Sequence, residues 1–487
     1  MIRSKRAGGG GRAAGATVTR HPRYVELLLL AGATVVTTGG WALVDAADAT
    51  PLPRQPVIYG LIFFGLYAVA CLAVHRFAPQ ADPVILPCVA LLNGLGLVVI
   101  HRLDLAATDA ATLAGTAIPS GNAGHQMLWT AAGLVLFVGV LGTVRDHRVL
   151  ARYAYTLAAA GLVLLLIPAI LPARFSEVNG GKNWILLFGF SIQPGEFAKV
   201  TLLVSAAALL VAQRDLFVGA GRRVLGLVLP RARDIGPLLL VWLVSILILV
   251  FEKNLGFPLL IFGTFLAMLY IATERISWVV VGLGFLAIGC WITYHLFPHV
   301  RVRFDVWSDP FADYATTGYQ LSQALFGMGT GGLVGTGLGQ GSPQMVPFAD
   351  TDFIISSIGE ELGLFGLTAV LSLYLVIVMR GFRTAISTRD SFGKLLSAGL
   401  SFTVAWQVFV VVGGVTTLIP LTGLTSPFLS YGGSSLIANF ALIALLLRIS
   451  DGARSAPTMP TMPLADSSPL SSSTGVISTA GRFQRSR

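Results

Sequence analysis

Apolar runs broken by short polar turns make up most of this chain. They lie at roughly 25–44, 57–74, 84–100, 127–144, 153–173, 194–212, 235–251, 256–272, 277–297, 362–379, 395–414 and 427–447. Each reaches the length of about 17 residues or more that a helix needs to cross some 30 Å of hydrocarbon. Outside a closed barrel, only helices satisfy every backbone group in lipid. The pattern predicts an all-α polytopic integral membrane protein with about twelve transmembrane helices. The first run follows a basic, Gly-rich arm and ends in Ala46-Ala47-Asp48-Ala49, so a cleaved signal peptide is the alternative there. It is longer than a signal-peptide core of about 7–15 residues and is read as a retained span.

Composition agrees: 54% of residues are hydrophobic and 11% charged, against about 25% charged in soluble domains. A soluble enzyme, a disordered chain and a disulfide scaffold are excluded. Cys71, Cys88 and Cys290 sit inside apolar runs without metal-ligand spacing and read as small buried hydrophobes. The net charge of +10 raises nucleic acid as a partner, but the basic residues are distributed by topology. With a cytoplasmic N-terminus, 25 of the 33 Lys and Arg fall on the cytoplasmic side. Seven fall outside (Arg54, Arg102, Arg174, Lys182, Lys253, Arg301 and Arg303), and Lys199 lies within a span. This positive-inside asymmetry places both termini in the cytoplasm. It accounts for the basic charge by topology and lipid attraction, with no nucleic acid. Residues 1–23 form a basic cytoplasmic arm, and the Ser-, Pro- and Thr-rich segment 451–487 reads as a disordered cytoplasmic tail.

Under this orientation the largest extracytoplasmic connection, 298–361, precedes the tenth helix. It gathers Asp305, Asp309, Asp313, Asp350, Asp352, Glu360 and Glu361 beside Arg301 and Arg303. Long connections in compact domains are usually functional. Its stretch 319–341 begins with helical periodicity and ends dense in glycine, which lets backbones approach closely. Without Walker-A spacing or a lysine it reads as a structural re-entrant segment rather than a phosphate cradle. Asp350 and Asp352 follow, just ahead of an apolar helix. A desolvated carboxylate beside a second one can gain the pKa of a general base, and a helix cap is an equal alternative. In the segment 179–200, Pro194 suits a first helical turn and Glu196 and Lys199 stand one turn apart in an apolar helix. Such groups pair with each other or face a polar cavity. The segment 421–435 is uncharged and rich in hydroxyls, broken by Pro427 and Gly432-Gly433, and reads first as packing and hinge. Histidines such as His75, His147 and His299 do not recur at metal-ligand spacing.

Together these motifs resemble the SEDS family (shape, elongation, division and sporulation), the RodA and FtsW proteins, over roughly residues 84–450. The matching elements are Asn-Gly-x-x-x-Trp at 179–184, Gln-Pro-Gly-Glu-x-Ala-Lys at 193–199 and Arg303 seven residues before Pro310. Tyr319-Gln320 with the glycine stretch, Thr-Asp-Phe-Ile at 351–354 with Gly-Glu-Glu-Leu-Gly at 359–363, and Ser-Tyr-Gly-Gly-Ser at 430–434 complete the series. The Gly-Glu-Phe-Ala-Lys form looks closer to the RodA branch. The resemblance implies a ten-helix core at 84–450, preceded by two additional helices at 24–83. It also implies a peptidoglycan glycosyltransferase of the bacterial cytoplasmic membrane. The substrate would be lipid II, an undecaprenyl-pyrophosphate disaccharide-pentapeptide, polymerised at the outer face for cell elongation and shape. The implied partners are a class B penicillin-binding protein, which supplies the transpeptidase, and other elongation or division proteins.

Residue by residue, the family's essential aspartate falls on Asp352 and its Glu and Lys pair on Glu196 and Lys199. Candidate substrate or pyrophosphate contacts are Lys199, Glu196, Arg303, Arg301, Asn179, Trp184, Tyr319, Gln320, Ser430 and Ser434, with Asp350, Glu360 and Glu361 as secondary acidic candidates. The chain departs from the family in Phe348-Ala349-Asp350, where relatives carry Glu-x-His, which makes Asp350 a rival base. It also has Asn254 for a usual aspartate and Thr425-Ser426 for a common Pro-Leu. Glycosyl transfer from a pyrophosphate needs a base for the acceptor hydroxyl and positive charge for the leaving group. Asp352 suits the first role, and Arg303, Lys199 and Arg301 the second. A divalent cation could assist the leaving group, although the sequence names no ligands for one. Two other readings use the same residues: a lipid II translocase working through Glu196 and Lys199, and a non-catalytic scaffold in which Asp352 caps a helix.

Overall fold

The computed structural model describes residues 24–48, 55–178, 181–187, 190–214 and 255–455, with short pieces between 222 and 248. The basic arm 1–23, Asn179, Lys253, Asn254, most of the 235–251 run and residues 456–487 lie outside the described residues. The chain begins with α1 (Tyr24–Ala47), α2 (Gln55–Phe77), α3 (Ile85–Ala114), α4 (Asn122–Thr143), α5 (Val149–Arg152), α6 (Ala154–Ile170) and α7 (Ala173–Ser176). The antiparallel hairpin β1 (Ile185–Leu187) and β2 (Phe190–Ile192) leads into α8 (Pro194–Ala212). A second small hairpin, β3 (Arg222–Val224) and β4 (Leu227–Leu229), follows. Then come α9 (Gly256–Thr273), α10 (Ile276–Leu296), α11 (Pro298–Ser308), α12 (Tyr319–Gly331), α13 (Ile354–Glu361), α14 (Gly363–Ser387), α15 (Ser391–Val415) and α16 (Gly433–Ser455).

Among the described residues, ten helices are long and apolar enough to cross a membrane: α1 to α4, α8 to α10 and α14 to α16. The protein is an all-α multi-pass membrane protein, and these ten match ten of the twelve predicted runs, the other two being those at 153–173 and 235–251. The run predicted at 153–173 forms α6, which has 17 residues and is shorter than the others. Pro168 lies in its last turn and Pro172 follows, and proline ends a helix by removing a donor and crowding the preceding residue. The run at 235–251 falls mostly outside the described residues. The predicted span 427–447 starts only at Gly433, because Pro427 and Phe428, with φ of 65°, form a turn. At its other end α16 continues to Ser455, past the expected boundary at 450.

Ser and Thr within the spans satisfy their hydroxyls on the carbonyl one turn back, as Thr37 does on Ala33, Ser401 on Ser397 and Thr403 on Gly399. One large apolar core joins the helices. At Gly96 of α3, a Cβ would stand 2.1 Å from the Leu429 carbonyl oxygen, so glycine is what lets the 426–432 turn lie against α3.

Two ends carry the polar groups. At one, Asp82 is fully buried and receives Arg454, Arg380 at 3.6 Å and the Val84 N–H at 3.0 Å. At the same end Arg448 donates to the carbonyls of Phe77 and Leu141. Asp390 caps α15 by accepting the Gly393 N–H, with His147 Nε2 at 3.0 Å. The other end holds α11, α12, α13 and the 416–432 turn. There the expected 298–361 loop is three helices and a glycine-dense turn.

That turn explains its composition. Gly332, Gly335, Gly337 and Gly339 all have positive φ, which costs side-chain-bearing residues strain. Thr336 and Gly337 donate their N–H groups to the carbonyls of Glu360 and Glu361, both at 3.0 Å. The stretch is backbone packed on backbone.

Candidate active site

The β1–β2 hairpin delivers the chain to Pro194, whose fixed φ and missing donor suit the first turn of α8. One turn on, Glu196 and Lys199 are both buried. Lys199 Nζ donates to Glu196 Oε2 at 2.7 Å, Gln407 Oε1 at 3.0 Å and Asn439 Oδ1 at 3.3 Å. Three acceptors from α8, α15 and α16 take the three hydrogens of the ammonium.

Glu196 opens onto a cavity of about 970 Å³ that collects groups from distant parts of the chain. α4 contributes His125, Leu128, Trp129 and Ala132, a stripe spaced one helical turn apart, with His125, Leu128 and Ala132 exposed. Asn183, Trp184 and Gln193 come from around the hairpin, Arg303 from α11, Gln320 from α12, Asp352 from the turn before α13, and Tyr431 to Ser435 from the start of α16.

Arg303 and Asp352 face each other across Gly423. A Cβ built on that glycine would stand 3.6 Å from Asp352 Oδ2 and 3.7 Å from both Arg303 Nη atoms. Gly423 has φ of 71°, so glycine is needed for the turn. Arg303 Nη1 donates to the Leu421 carbonyl at 2.7 Å, which fixes the guanidinium. No hydrogen bond or ion pair to the Asp352 carboxylate is present among the described residues. Burial pushes its pKa up to about 6, the attraction of Arg303 opposing and the charge of Asp350 adding to the shift. A carboxylate near that value is suited to accept a proton.

The alternatives left open by the sequence separate here. Phe353, not an aspartate, occupies the N-cap of α13, which has no side-chain cap bond. Asp350 lies two residues from Asp352 yet its Oδ2 accepts from Asn122 Nδ2 at 3.0 Å, and it is not among the residues lining the cavity. Glu360 and Glu361 serve the glycine-dense turn: Glu360 Oε1 accepts the Ser342 N–H at 2.6 Å, and Glu361 Oε2 the Gly339 N–H at 3.2 Å. Glu361 also lies 3.3 Å from Arg102 Nε.

Of the candidate contacts, Trp184, Glu196, Arg303, Gln320 and Ser434 line the cavity with Asp352. Lys199 stands behind Glu196. Arg301 is exposed, donates to the His295 carbonyl and lies over the Tyr294 ring at 5.6 Å. Tyr319 packs near Tyr314, with ring centroids 6.0 Å apart. Ser430 is buried and donates to the Thr351 carbonyl at 2.6 Å. Asn179 lies outside the described residues. Sequence reasoning missed Asn122, His125, Gln126, Trp129, Gln407 and Asn439. The amides of Gln407 and Asn439 did leave a signal, since polar side chains inside apolar spans are costly and therefore placed.

Comparison with known proteins is decisive on ancestry. The model of the FtsW/RodA/SpoVE family, described as cell cycle protein, matches residues 83–455. The chain belongs to this family. The peptidoglycan glycosyltransferase RodA of Mycobacterium tuberculosis is 56% identical over 432 residues, 89% of this chain and 91% of that protein. The RodA of Mycobacterium leprae is 54% identical over the same extent. A probable peptidoglycan glycosyltransferase FtsW of Geobacter metallireducens is 33% identical over 64% of this chain and 80% of that protein. In fold, the crystal structure of Thermus thermophilus RodA covers 77% of this chain and 98% of its own, with a TM-score of 0.53 and 23% identity. Helices α1 and α2 lie before the residues that the family model matches.

Proposed function

We propose that this family member polymerises lipid II into peptidoglycan glycan, with Asp352 as general base. The chain is a peptidoglycan glycosyltransferase of the RodA and FtsW kind, and the higher identity to RodA favours cell elongation and shape. The observation that carries the residue assignment is the opposition of Asp352 and Arg303 across Gly423 in one large cavity. Asp352 takes the proton of the acceptor sugar hydroxyl as its oxygen attacks the anomeric carbon of the donor. The bond from that carbon to the lipid pyrophosphate breaks, and its electron pair leaves on the pyrophosphate. Arg303, held on the Leu421 carbonyl, offsets the developing charge. An α-linked donor giving a β-linked product inverts in one displacement, so a single carboxylate suffices.

Among the described residues no group of three or more His, Cys, Asp or Glu is placed to hold a metal ion. The exposed face of α4 opens the cavity sideways, which suits a substrate with a polyprenyl tail in the bilayer. A class B penicillin-binding protein is the partner that would crosslink the product.

The deciding experiment supplies lipid II to the purified full-length protein, with and without that transpeptidase, and measures polymer. A parallel arm in proteoliposomes measures lipid II flipping. Polymer from wild type that is absent with Asp352→Asn supports the reading, whereas flipping without polymer would establish a translocase. The same reading sets the site end outside. Cysteines placed near Asp313 should react with an impermeant thiol reagent in intact cells and those near Ser472 should not, and reversed labelling would overturn the orientation.

A further inference from the structure

The segment bearing Asp352 is held partly by its own neighbours, the N–H groups of Thr351 and Phe353 both donating to the Phe348 carbonyl at 3.1 Å, and partly from elsewhere in the fold. Two side chains one turn apart on α4 supply the rest, Asn122 directly on Asp350 and Gln126 through the 430–432 turn. Gln126 is completely buried and both ends of its amide are used on one turn. Its Nε2 donates to the Ser430 carbonyl at 3.0 Å, and its Oε1 accepts the Gly432 N–H at 3.3 Å. The residues so clamped hold the aspartate segment in turn. The Tyr431 N–H donates to the Asp350 carbonyl at 2.8 Å and the Ser430 hydroxyl to the Thr351 carbonyl at 2.6 Å. Asn122 adds the second attachment, through its amide on the Asp350 carboxylate. The start of α4 is itself fixed by Asp104 of α3, whose two oxygens accept the N–H groups of Asn122 at 2.9 Å and Ala123 at 2.8 Å.

We infer that Asn122 and Gln126 are positioning residues for the glycosyl transfer. Gln126 acts through the 430–432 backbone and Asn122 through the Asp350 carboxylate, and together they set where Asp352 stands opposite Arg303. This rests on the reading of Asp352 as the base. It also gives Asp350 a role: a charge moored beside the base. α4 presents His125, Leu128, Trp129 and Ala132 to the cavity while holding the catalytic segment with Asn122 and Gln126. One rigid helix thus forms a cavity wall and mounts the base. Displacing a base by about 1 Å can cost a hundredfold in rate while leaving substrate contacts intact.

The test measures polymer from lipid II with full-length wild type, Asp352→Asn, Gln126→Met, Gln126→Glu, Asn122→Leu and Asp350→Asn. Gln126→Met keeps the bulk and loses both hydrogen bonds, and kcat should fall on the order of tenfold to a hundredfold with KM within about twofold. Gln126→Glu keeps the acceptor for Gly432 and should lose less. Asn122→Leu should lower kcat about tenfold. Asp350→Asn keeps an acceptor for Asn122 but removes a negative charge from beside Asp352. The acid limb of its pH profile should therefore move to lower pH, a change that loss of packing alone would not cause. The groups facing Asp352 are Arg303 and Asp350, with Glu196, His125, His299 and Tyr431 in the same cavity, and Asp104 and Tyr431 face Asp350. Asp350→Asn leaves the others in place.

A KM increase at constant kcat in the Gln126 and Asn122 variants would overturn the inference in favour of direct substrate contacts. Wild-type rates in folded variants would overturn it outright. If Gln126→Met does not fold, Asn122→Leu, at a partly buried site, and Asp350→Asn decide by the same two readouts. Absence of polymer from wild type would sink the glycosyltransferase reading first. Polymer from wild type and none from Asp352→Asn, with the α4 variants unaffected, would sink this inference alone.

Discussion

Asp82 and Asp352 are the same residue in opposite circumstances. Asp82, at the end away from the cavity, is enclosed by Arg454, Arg380 and a backbone N–H and ties α16 and α14 to the turn between α2 and α3. Asp352 is enclosed by little: an arginine already committed to a carbonyl, a glycine, and open cavity. A carboxylate surrounded by donors does structural work. One left desolvated beside a single cation keeps a proton affinity that chemistry can use. The Glu196 and Lys199 pair belongs with Asp82, its ammonium saturated by three acceptors, although Glu196 also reaches the cavity.

If that contrast is right, breaking the closed sites should cost stability and breaking the open one should cost rate. The largest effects belong to the closed sites. Replacing Arg380 and Arg454 together with Met leaves Asp82 buried without a cation and should destabilise by about 3–5 kcal/mol, read as folded yield and melting temperature in detergent. Lys199→Met should cost a similar amount by stranding Glu196. The double variant Glu196→Gln/Lys199→Met should recover folding, with polymerisation still low. Full activity in the double variant would make the pair purely structural.

Next comes Asp352→Asn, which should lower polymerisation on the order of a hundredfold or more without lowering the melting temperature. A carboxylate with a raised pKa costs folding free energy while ionised, so its neutral isostere removes a cost. A drop in stability equal to that of the Asp82 site would erase the distinction.

A smaller effect comes from pH. Asp352 must be unprotonated to act, so with a pKa of about 6 the rate should be near plateau at neutral pH. It should fall about tenfold by one unit below the pKa. Activity that is flat down to pH 4 would mean that Asp352 is not the titrating base. The least effect is expected at Gly423→Ala. Its φ of 71° costs an alanine about 1–2 kcal/mol, and the methyl would touch both Arg303 and Asp352 at ordinary contact distance. A severalfold loss of rate should accompany modest destabilisation. Unchanged rate would show that the space beside Gly423 is not where substrate sits.

The spans were legible because lipid imposes a length and a composition on them, and each of the ten helices falls on an apolar run, α3 and α14 continuing past the end of theirs. Legibility failed where proline shortened α6, and where the turn at Pro427 and Phe428 delayed α16 to Gly433. Hydropathy counts side chains and does not register a backbone break. Within the site, Asp352, Arg303, Glu196, Trp184, Gln320 and Ser434 were all named from ordered motifs, and the structure brings these together. The amides that mount the site were not named, because Asn122 and Gln126 look in sequence like two tolerated polar residues at the start of an apolar helix.

The sequence by itself determined the solvent, the helices and the list of residues able to do chemistry. Each depends on local composition or on a motif a few residues long. Which of two aspartates separated by a single residue faces a cavity and which is moored to Asn122 was decided only by tertiary structure. Desolvation, the reach of Gln126 across the fold and the gap at Gly423 arise when α4, α11, α13 and the 416–432 turn meet. Proton affinity follows from those surroundings, and surroundings in a helical membrane protein are assembled from segments hundreds of residues apart.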